Sequence, residues 1–139
     1  NNEAYHVIKP NPDGISSIKC MRKALLRAGL SPQDVDYINA HGTGTKLGDE
    51  AELNALGQLF EGSAISSTKG ATGHMMGAGG ITEARRSWEG IVPPTLNLED
   101  CDSDLDLVRG ECRKMTVDTA MTNAFGFGGQ NSSLIFRRY

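Results

Sequence analysis

The amino-acid sequence predicts an α/β layered fold, a mixed sheet packed with helices. Three observations carry that prediction. Apolar residues recur at helical spacing over residues 18–28. Two short apolar segments, at 35–40 and at Ile65-Ser66, are each followed by a glycine-bearing loop and a further helical stretch. The last third alternates apolar and polar residues in the manner of antiparallel strands. The order helix, strand, helix, strand, helix and then strands is that of a layered α/β domain.

Each element has its own signals. Pro10, Pro12 and Gly14 make residues 5–14 a loop. From Ile18, the positions Met21, Ala24, Leu25 and Ala28 form one helical face, and Gly29 stops it. Ser31-Pro32 looks like an N-cap followed by proline at the first helical position. Residues 35–40 read as a buried strand ending at His41. Asp49 and Glu52 have capping-box spacing at the start of a helix running through Phe60. Ile65-Ser66 is a short strand, 67–73 a loop, and 75–88 a helix of small residues ended by Pro93-Pro94. Leu105, Leu107, Met115 and Val117 are candidate inward positions. Strands over 116–123 and 132–137 flank a turn at Phe125-Gly126-Phe127-Gly128-Gly129. There is no internal repeat.

The totals bound the function classes. A chain of 139 residues has the size of one ordinary domain, and a net charge of −3 without basic runs gives no electrostatic case for nucleic acid or an anionic membrane. No apolar run approaches a membrane span. Cys20, Cys101 and Cys112 are odd in number and lack zinc-ligand spacing, so no metal is expected and all three read as reduced thiols. Asn1-Asn2-Glu3 shows no basic-then-apolar leader pattern. Many of the 17 glycines fall in three clusters interleaved with His, Lys, Thr, Phe and Asn. That pattern suits loops where backbone must approach a ligand closely.

Three of these loops hold chemistry-bearing residues. In Asn39-Ala40-His41-Gly42-Thr43-Gly44-Thr45, a histidine stands just past the carboxyl end of a buried strand, where open α/β sheets place ligands. The threonine hydroxyls could bond a polar ligand chain; the bland alternative is a structural hydrogen-bonder. In Ser66-Ser67-Thr68-Lys69-Gly70-Ala71-Thr72-Gly73-His74, small neighbours leave room beside Lys69 and His74, and a lysine near imidazoles disfavours their protonation. A helix-entry loop with a solvated lysine would look the same. In Asn123-Ala124-Phe125-Gly126-Phe127-Gly128-Gly129-Gln130-Asn131, glycines free backbone N–H groups that could stabilise an oxyanion, although a glycine-rich hairpin with two core phenylalanines fits as well.

Taken together, the segments YINAHGTGTKLGDEAELNAL, SSTKGATGH, VPPTLNLE and TNAFGFGGQNSSLIF closely resemble the β-ketoacyl-acyl-carrier-protein synthases, the condensing enzymes of fatty acid and polyketide synthesis. The resemblance covers nearly the whole chain, with Ala4-Tyr5-His6 matching the approach to this half. It implies a thiolase-like fold of two similar halves, of which residues 1–139 match the carboxy-terminal one. It further implies a decarboxylative Claisen condensation of an acyl thioester with malonyl-carrier protein. His41 and His74 would be the catalytic histidines, their Nε2 groups facing the thioester carbonyl, and Lys69 would tune the pair without touching substrate. Glu52 would bind Lys69 and hold the loop, with Asp49 and Asn131 in support. Thr43 and Thr45 would bind the phosphopantetheine arm. The Phe127 N–H would contribute to an oxyanion hole and its ring would gate the acyl pocket, with Phe125, Gly126 and Gly128 as further substrate-binding residues. No cofactor is implied, because the arm arrives as part of the substrate. The implied partners are the acyl carrier protein, the amino-terminal half and, when complete, a second copy in a homodimer. The implied compartment is the cytoplasm or a mitochondrial or plastid matrix.

The family's first half supplies the nucleophilic cysteine in a helix-opening elbow, and none of Cys20, Cys101 or Cys112 has that setting. The isolated chain is therefore expected to be inactive in acyl transfer. A relative using one histidine and one asparagine is disfavoured by His74, and a thiolase by Arg113-Lys114 after Cys112. Two places depart from the family pattern: the short connection from Phe60 to Ile65, and residues 85–91, which lack about one helical turn and place Arg85 and Arg86 where apolar residues are usual. These departures keep a second reading open, in which the chain is a truncated or degenerate half serving as a binding or structural piece.

Overall fold

The structure is a computed structural model and describes residues 2, 5–6, 8–86, 90–99, 101 and 103–138. The first helix, α1 (Ile15–Ala28), buries Ile18, Met21 and Leu25, the face expected from their spacing. Gly29, at φ 66, ends it, and the Leu30 N–H returns to the Leu25 carbonyl at 3.0 Å. Its other end is set by Gly14 (φ 63): a Cβ there would lie 2.6 Å from the Ala51 carbonyl oxygen and 2.8 Å from Ala55 Cβ. Only a residue without a side chain lets α1 start against the next helix. Ser31 caps the 3₁₀ turn Pro32–Asp34 in a reciprocal capping box with Asp34.

Strand β1 (Tyr37–Asn39) occupies the centre of the expected apolar run. Helix α2 (Lys46–Gly57) begins at the Thr45 cap, four residues before Asp49, so the expected capping box does not exist. Asp49 and Glu52 sit inside the helix and turn back on the loop before it. The chain then reaches β2 (Ala64–Ser66) through the short connection, and a single turn, α3 (Lys69–Thr72), lies inside the stretch expected to be a loop. The expected helix over 75–88 is divided into a 3₁₀ turn at Met76–Ala78 and α4 (Gly79–Arg86). Met76 stands at φ 50, and the glycines around it allow the break. Trp88 and the side chains of Arg85 and Arg86, on which the sequence reading commented, lie outside the described residues.

Two strand pairs complete the chain: β3 (Ile91–Val92) with β4 (Arg113–Lys114), and β5 (Thr119–Gly126) with β6 (Gln130–Arg137). The main sheet has the order β2-β1-β5-β6, with β1 parallel to β2 and β5, and β5 antiparallel to β6. It is the mixed sheet expected. Its last hairpin is tighter than expected, because pairing runs to Gly126↔Gln130 and leaves only Phe127–Gly129 as the turn. Beyond β2, Leu107 forms a parallel bridge with Ile65, and at the other edge Asn2 forms an antiparallel bridge with Gln130.

Both faces of the central strands are apolar, as expected of parallel strands covered on both sides. Ile38 pairs with Ile65 and Met121 and packs under Met21, Leu25, Leu56 and Phe60 from the two helices, with Leu105 and Leu107 against the same cluster. Tyr37, Ala64 and Ala120 face the opposite way, onto Val92, Val108 and Val117, with Met115 beside them. The four inward positions read from the last third are therefore correct. Leu105 and Leu107, however, lie in an extended segment rather than in antiparallel strands.

Candidate active site

The parallel strands β1 and β2 and the end of β5 deliver the three loops to one region. β1 leads through the buried Ala40 to His41, β2 leads through Ser67 to Lys69, and β5 carries Asn123 and Phe125. The first loop is held by carboxylates from α2. Glu52 accepts the His41 N–H at 2.9 Å, the Gly42 N–H at 2.8 Å and the Asn123 side-chain amide at 3.4 Å. Asp49 accepts the Thr43 N–H at 3.0 Å. The Thr43 and Thr45 hydroxyls lie 3.0 Å apart. Ser67 ties the second loop to the first by donating to the Gly42 carbonyl at 2.8 Å. Gly42 (φ 30) passes so close that a Cβ would sit 2.7 Å from Ser67 Cβ.

Glu52 thus holds the loop as expected, but it does not bind Lys69. The Lys69 ammonium pairs instead with Glu83 of α4 at 2.6 Å, both side chains being nearly excluded from solvent. Geometry explains the exchange of partner, since the Glu52 oxygens are already occupied by backbone N–H groups. Glu83 is the site residue that the sequence reading missed. A lysine buried among small residues requires a counter-charge, and Glu83 is the one acidic residue between 75 and 88.

His41 and His74 come together, their ring centroids 5.6 Å apart and their planes at 85°. Phe125 flanks His41 at 5.9 Å. The Met76 N–H donates to His74 Nδ1 at 3.2 Å, so a neutral His74 carries its proton on Nε2. His41 Nδ1 is buried and has no hydrogen-bond partner among the described residues, so no such bond selects its tautomer. Burial first, then the Lys69 ammonium and His74, hold the His41 imidazole down from 6.5 to about 4. An NMR titration of the ring should therefore find it neutral throughout the physiological range, with a midpoint about 4. Removing the smallest contribution with His74→Gln should move that midpoint upward. Because the folded value is the lower one, His41 favours folding fully above 6.5, and that contribution is lost as pH falls toward 4.

A cleft of about 1020 Å³ opens over this pair. His41, His74, Thr43, Thr45, Phe125 and Phe127 line it, with Asp49, Glu52, Gly126, Gly128 and Asn131. Lys69 does not line it. Phe127 is 75% exposed, in the turn where Gly128 and Gly129 both take φ 73. Asn131 is buried opposite Phe125 in the hairpin. The arrangement offers two imidazoles, with His41 held neutral, to one cleft wall, which suits stabilisation of a developing oxyanion. Among the described residues no cluster of side chains is suited to hold a metal ion, and no helix is long and apolar enough to cross a membrane.

The sheet, its covering helices and the two-histidine cleft define a thiolase-like domain of the kind found in condensing enzymes. Residues 1–99 match the family model described as the β-ketoacyl synthase C-terminal domain, and the chain belongs to that family. It is 45% identical over 148 residues to 3-oxoacyl-[acyl-carrier-protein] synthase 2 of Coxiella burnetii, a match covering 99% of this chain and 36% of that protein. The mitochondrial 3-oxoacyl-[acyl-carrier-protein] synthase of Arabidopsis thaliana is 42% identical over 149 residues, covering 98% of this chain and 32% of the relative. Among solved structures, a β-ketoacyl synthase from Burkholderia phymatum superposes with a TM-score of 0.93 at 39% identity, covering 100% of this chain and 36% of that one. A type II polyketide ketosynthase in complex with its acyl-carrier protein gives 0.91 at 32% identity, with the same coverage. The chain spans about a third of the length of these relatives.

Proposed function

We propose that the chain is the histidine-bearing, carboxy-terminal half of a 3-oxoacyl-[acyl-carrier-protein] synthase acting in fatty acid synthesis. The carrying observation is the His41–His74 pair at 5.6 Å, with the His74 proton directed to Nε2 and His41 held neutral. In this reading a malonyl thioester lies in the cleft with its carbonyl oxygen toward both rings. The bond to the carboxylate breaks, carbon dioxide leaves, and the electron pair moves into an enolate whose oxygen the two imidazoles stabilise. The enolate carbon then attacks an acyl thioester carried on a cysteine, and that thiolate departs. Cys20 is buried on α1, and neither Cys101 nor Cys112 lines the cleft, so the nucleophile comes from the amino-terminal half. The Phe127 N–H and ring would serve as oxyanion donor and gate, and Thr43 and Thr45 would bond the phosphopantetheine arm of the acyl carrier protein. The complete enzyme would be a homodimer in the cytoplasm or an organelle matrix, a range to which the bacterial and mitochondrial relatives lend support.

The position of the three cysteines also favours a second reading, a non-catalytic half that binds or braces. One experiment separates the two. Supplied with an amino-terminal half, the chain should release carbon dioxide from malonyl-carrier protein, and His74→Ala should lower the rate by roughly 100- to 10,000-fold. Release no faster than the His74→Ala control would leave the non-catalytic reading standing.

A further inference from the structure

The histidine pair accounts for one part of the cleft. Another part of its wall is formed by the segment before α1, where His6, Ile8 and Lys9 line the same cavity. This segment is anchored: Asn2 bridges to Gln130 at the start of β6, and the N–H groups of Ile8 and Lys9 both donate to His6 Nδ1 at 3.0 Å. With Nδ1 occupied as an acceptor, a neutral His6 carries its proton on Nε2 and is itself a donor.

Lys9 is the one Lys or Arg among the described residues lining the cleft. Its ammonium has no carboxylate within ion-pair distance among them. The acidic residues of the same wall, Asp49 and Glu52, are turned onto backbone N–H groups and form no ion pair with it. With a net charge of −3 on the chain, this lysine is not part of a general positive surface. It is a single cation, backed by a histidine donor, at the exposed rim of the cavity that the two imidazoles also line.

We propose that Lys9, with His6 positioning its turn, binds the phosphate of a 4′-phosphopantetheine thioester in this cleft. The proposal rests on the reading of the cleft given above. Such an arm is uncharged except for a phosphate at the end opposite its sulfur. A thioester presented to His41 and His74 therefore sends its one anionic group outward to the rim, and the hydroxyls of Thr43 and Thr45 are available to the amides between. The phosphate could be borne by a carrier protein or by free coenzyme A.

The test is a titration of the ¹⁵N-labelled chain with 4′-phosphopantetheine, pantetheine and coenzyme A, followed by NMR chemical shifts. Wild type should bind phosphopantetheine roughly threefold to fivefold more tightly than pantetheine, a ratio of the size an exposed ion pair supplies, and high salt should erode it. Lys9→Gln should bring the ratio to about one, while Lys9→Arg should keep it. A ratio unchanged in Lys9→Gln overturns the assignment. Equal binding of the two probes by wild type, with Thr43→Val weakening both, overturns the role of Lys9 and leaves the cleft reading intact. Binding of none of the probes overturns the cleft reading and Lys9 with it. If Lys9→Gln collapses the ratio, coenzyme A binding more tightly than phosphopantetheine marks the free cofactor thioester as the source. No gain from its adenosine part marks a carrier-borne arm.

Discussion

Lys69→Met should lower the unfolding free energy by about 3–5 kcal/mol, the usual cost of stranding one member of a buried ion pair. The pair has the features that make this cost large. Its atoms lie 2.6 Å apart, and the two side chains are only 7% and 4% exposed, so solvent screens little of the interaction. Without the ammonium, Glu83 must remain charged without its Lys69 partner or take up a proton. Glu83→Leu should do comparable damage from the other side. The double replacement, Lys69→Met with Glu83→Leu, should recover much of the loss, since a well-packed apolar pair avoids the desolvation penalty altogether. Urea unfolding of the two single variants and the double variant measures the coupling. Additive losses would show that the two groups do not depend on each other.

Glu52→Leu should be the next most damaging change at the site. It removes the acceptor of the His41 and Gly42 N–H groups together, and each orphaned buried donor costs about 1–3 kcal/mol. It also frees the backbone that aims His41, so the ring contact with His74 should loosen and the titration midpoint of His41 should shift. Glu52→Gln retains one acceptor oxygen and should cost less. It also isolates a pH effect. Burial raises the Glu52 carboxyl above its ordinary 4.5, against the lowering influence of its hydrogen bonds. The protonated form is thus relatively favoured in the folded chain. The contribution is fully present below the unfolded value of 4.5 and is lost as pH rises through the raised folded value. The unfolding free energy of wild type relative to Glu52→Gln should therefore decline above 4.5, in the direction opposite to the His41 effect.

The parts of the site legible in the sequence were those written into contiguous loops. His41, His74, Thr43, Thr45 and Phe125 stand in short stretches whose glycines and position after strands announce them, and all line one cleft. What was not legible depends on which side chain reaches which across the fold. The family resemblance implies a Lys69–Glu52 pair, but two backbone N–H groups claim that carboxylate. Glu83 lies 14 residues from Lys69, beyond a broken helix, and local periodicity carries no trace of that pairing. The start of α2 was misplaced because Asp49 and Glu52 imitate a capping box, whereas Thr45 is the cap. Strand ends followed the register of β5 with β6 rather than residue preference, so the hairpin turn shrank to three residues. The core was the most faithful part: Met21, Leu25, Ile38 and Ile65 are buried on the elements where their patterns put them, and Val117 is buried although it precedes β5 rather than lying in it.

The two edges of the sheet differ in a way that limits how copies of this chain can associate through their backbones. On the β2 side, the Ile65 N–H is taken by the Asp106 carbonyl and the Ile65 carbonyl by the Val108 N–H, both at 2.9 Å. That edge is closed. On the β6 side, the Asn2–Gln130 bridge is the only strand pairing among the described residues. An unpaired edge invites a neighbouring strand, and among the described residues the main sheet has one such edge. Two copies joined β6 to β6 would each use up their open side and leave none for a third. Strand addition through the main sheet would then be self-terminating, a pairwise event rather than the start of a fibre.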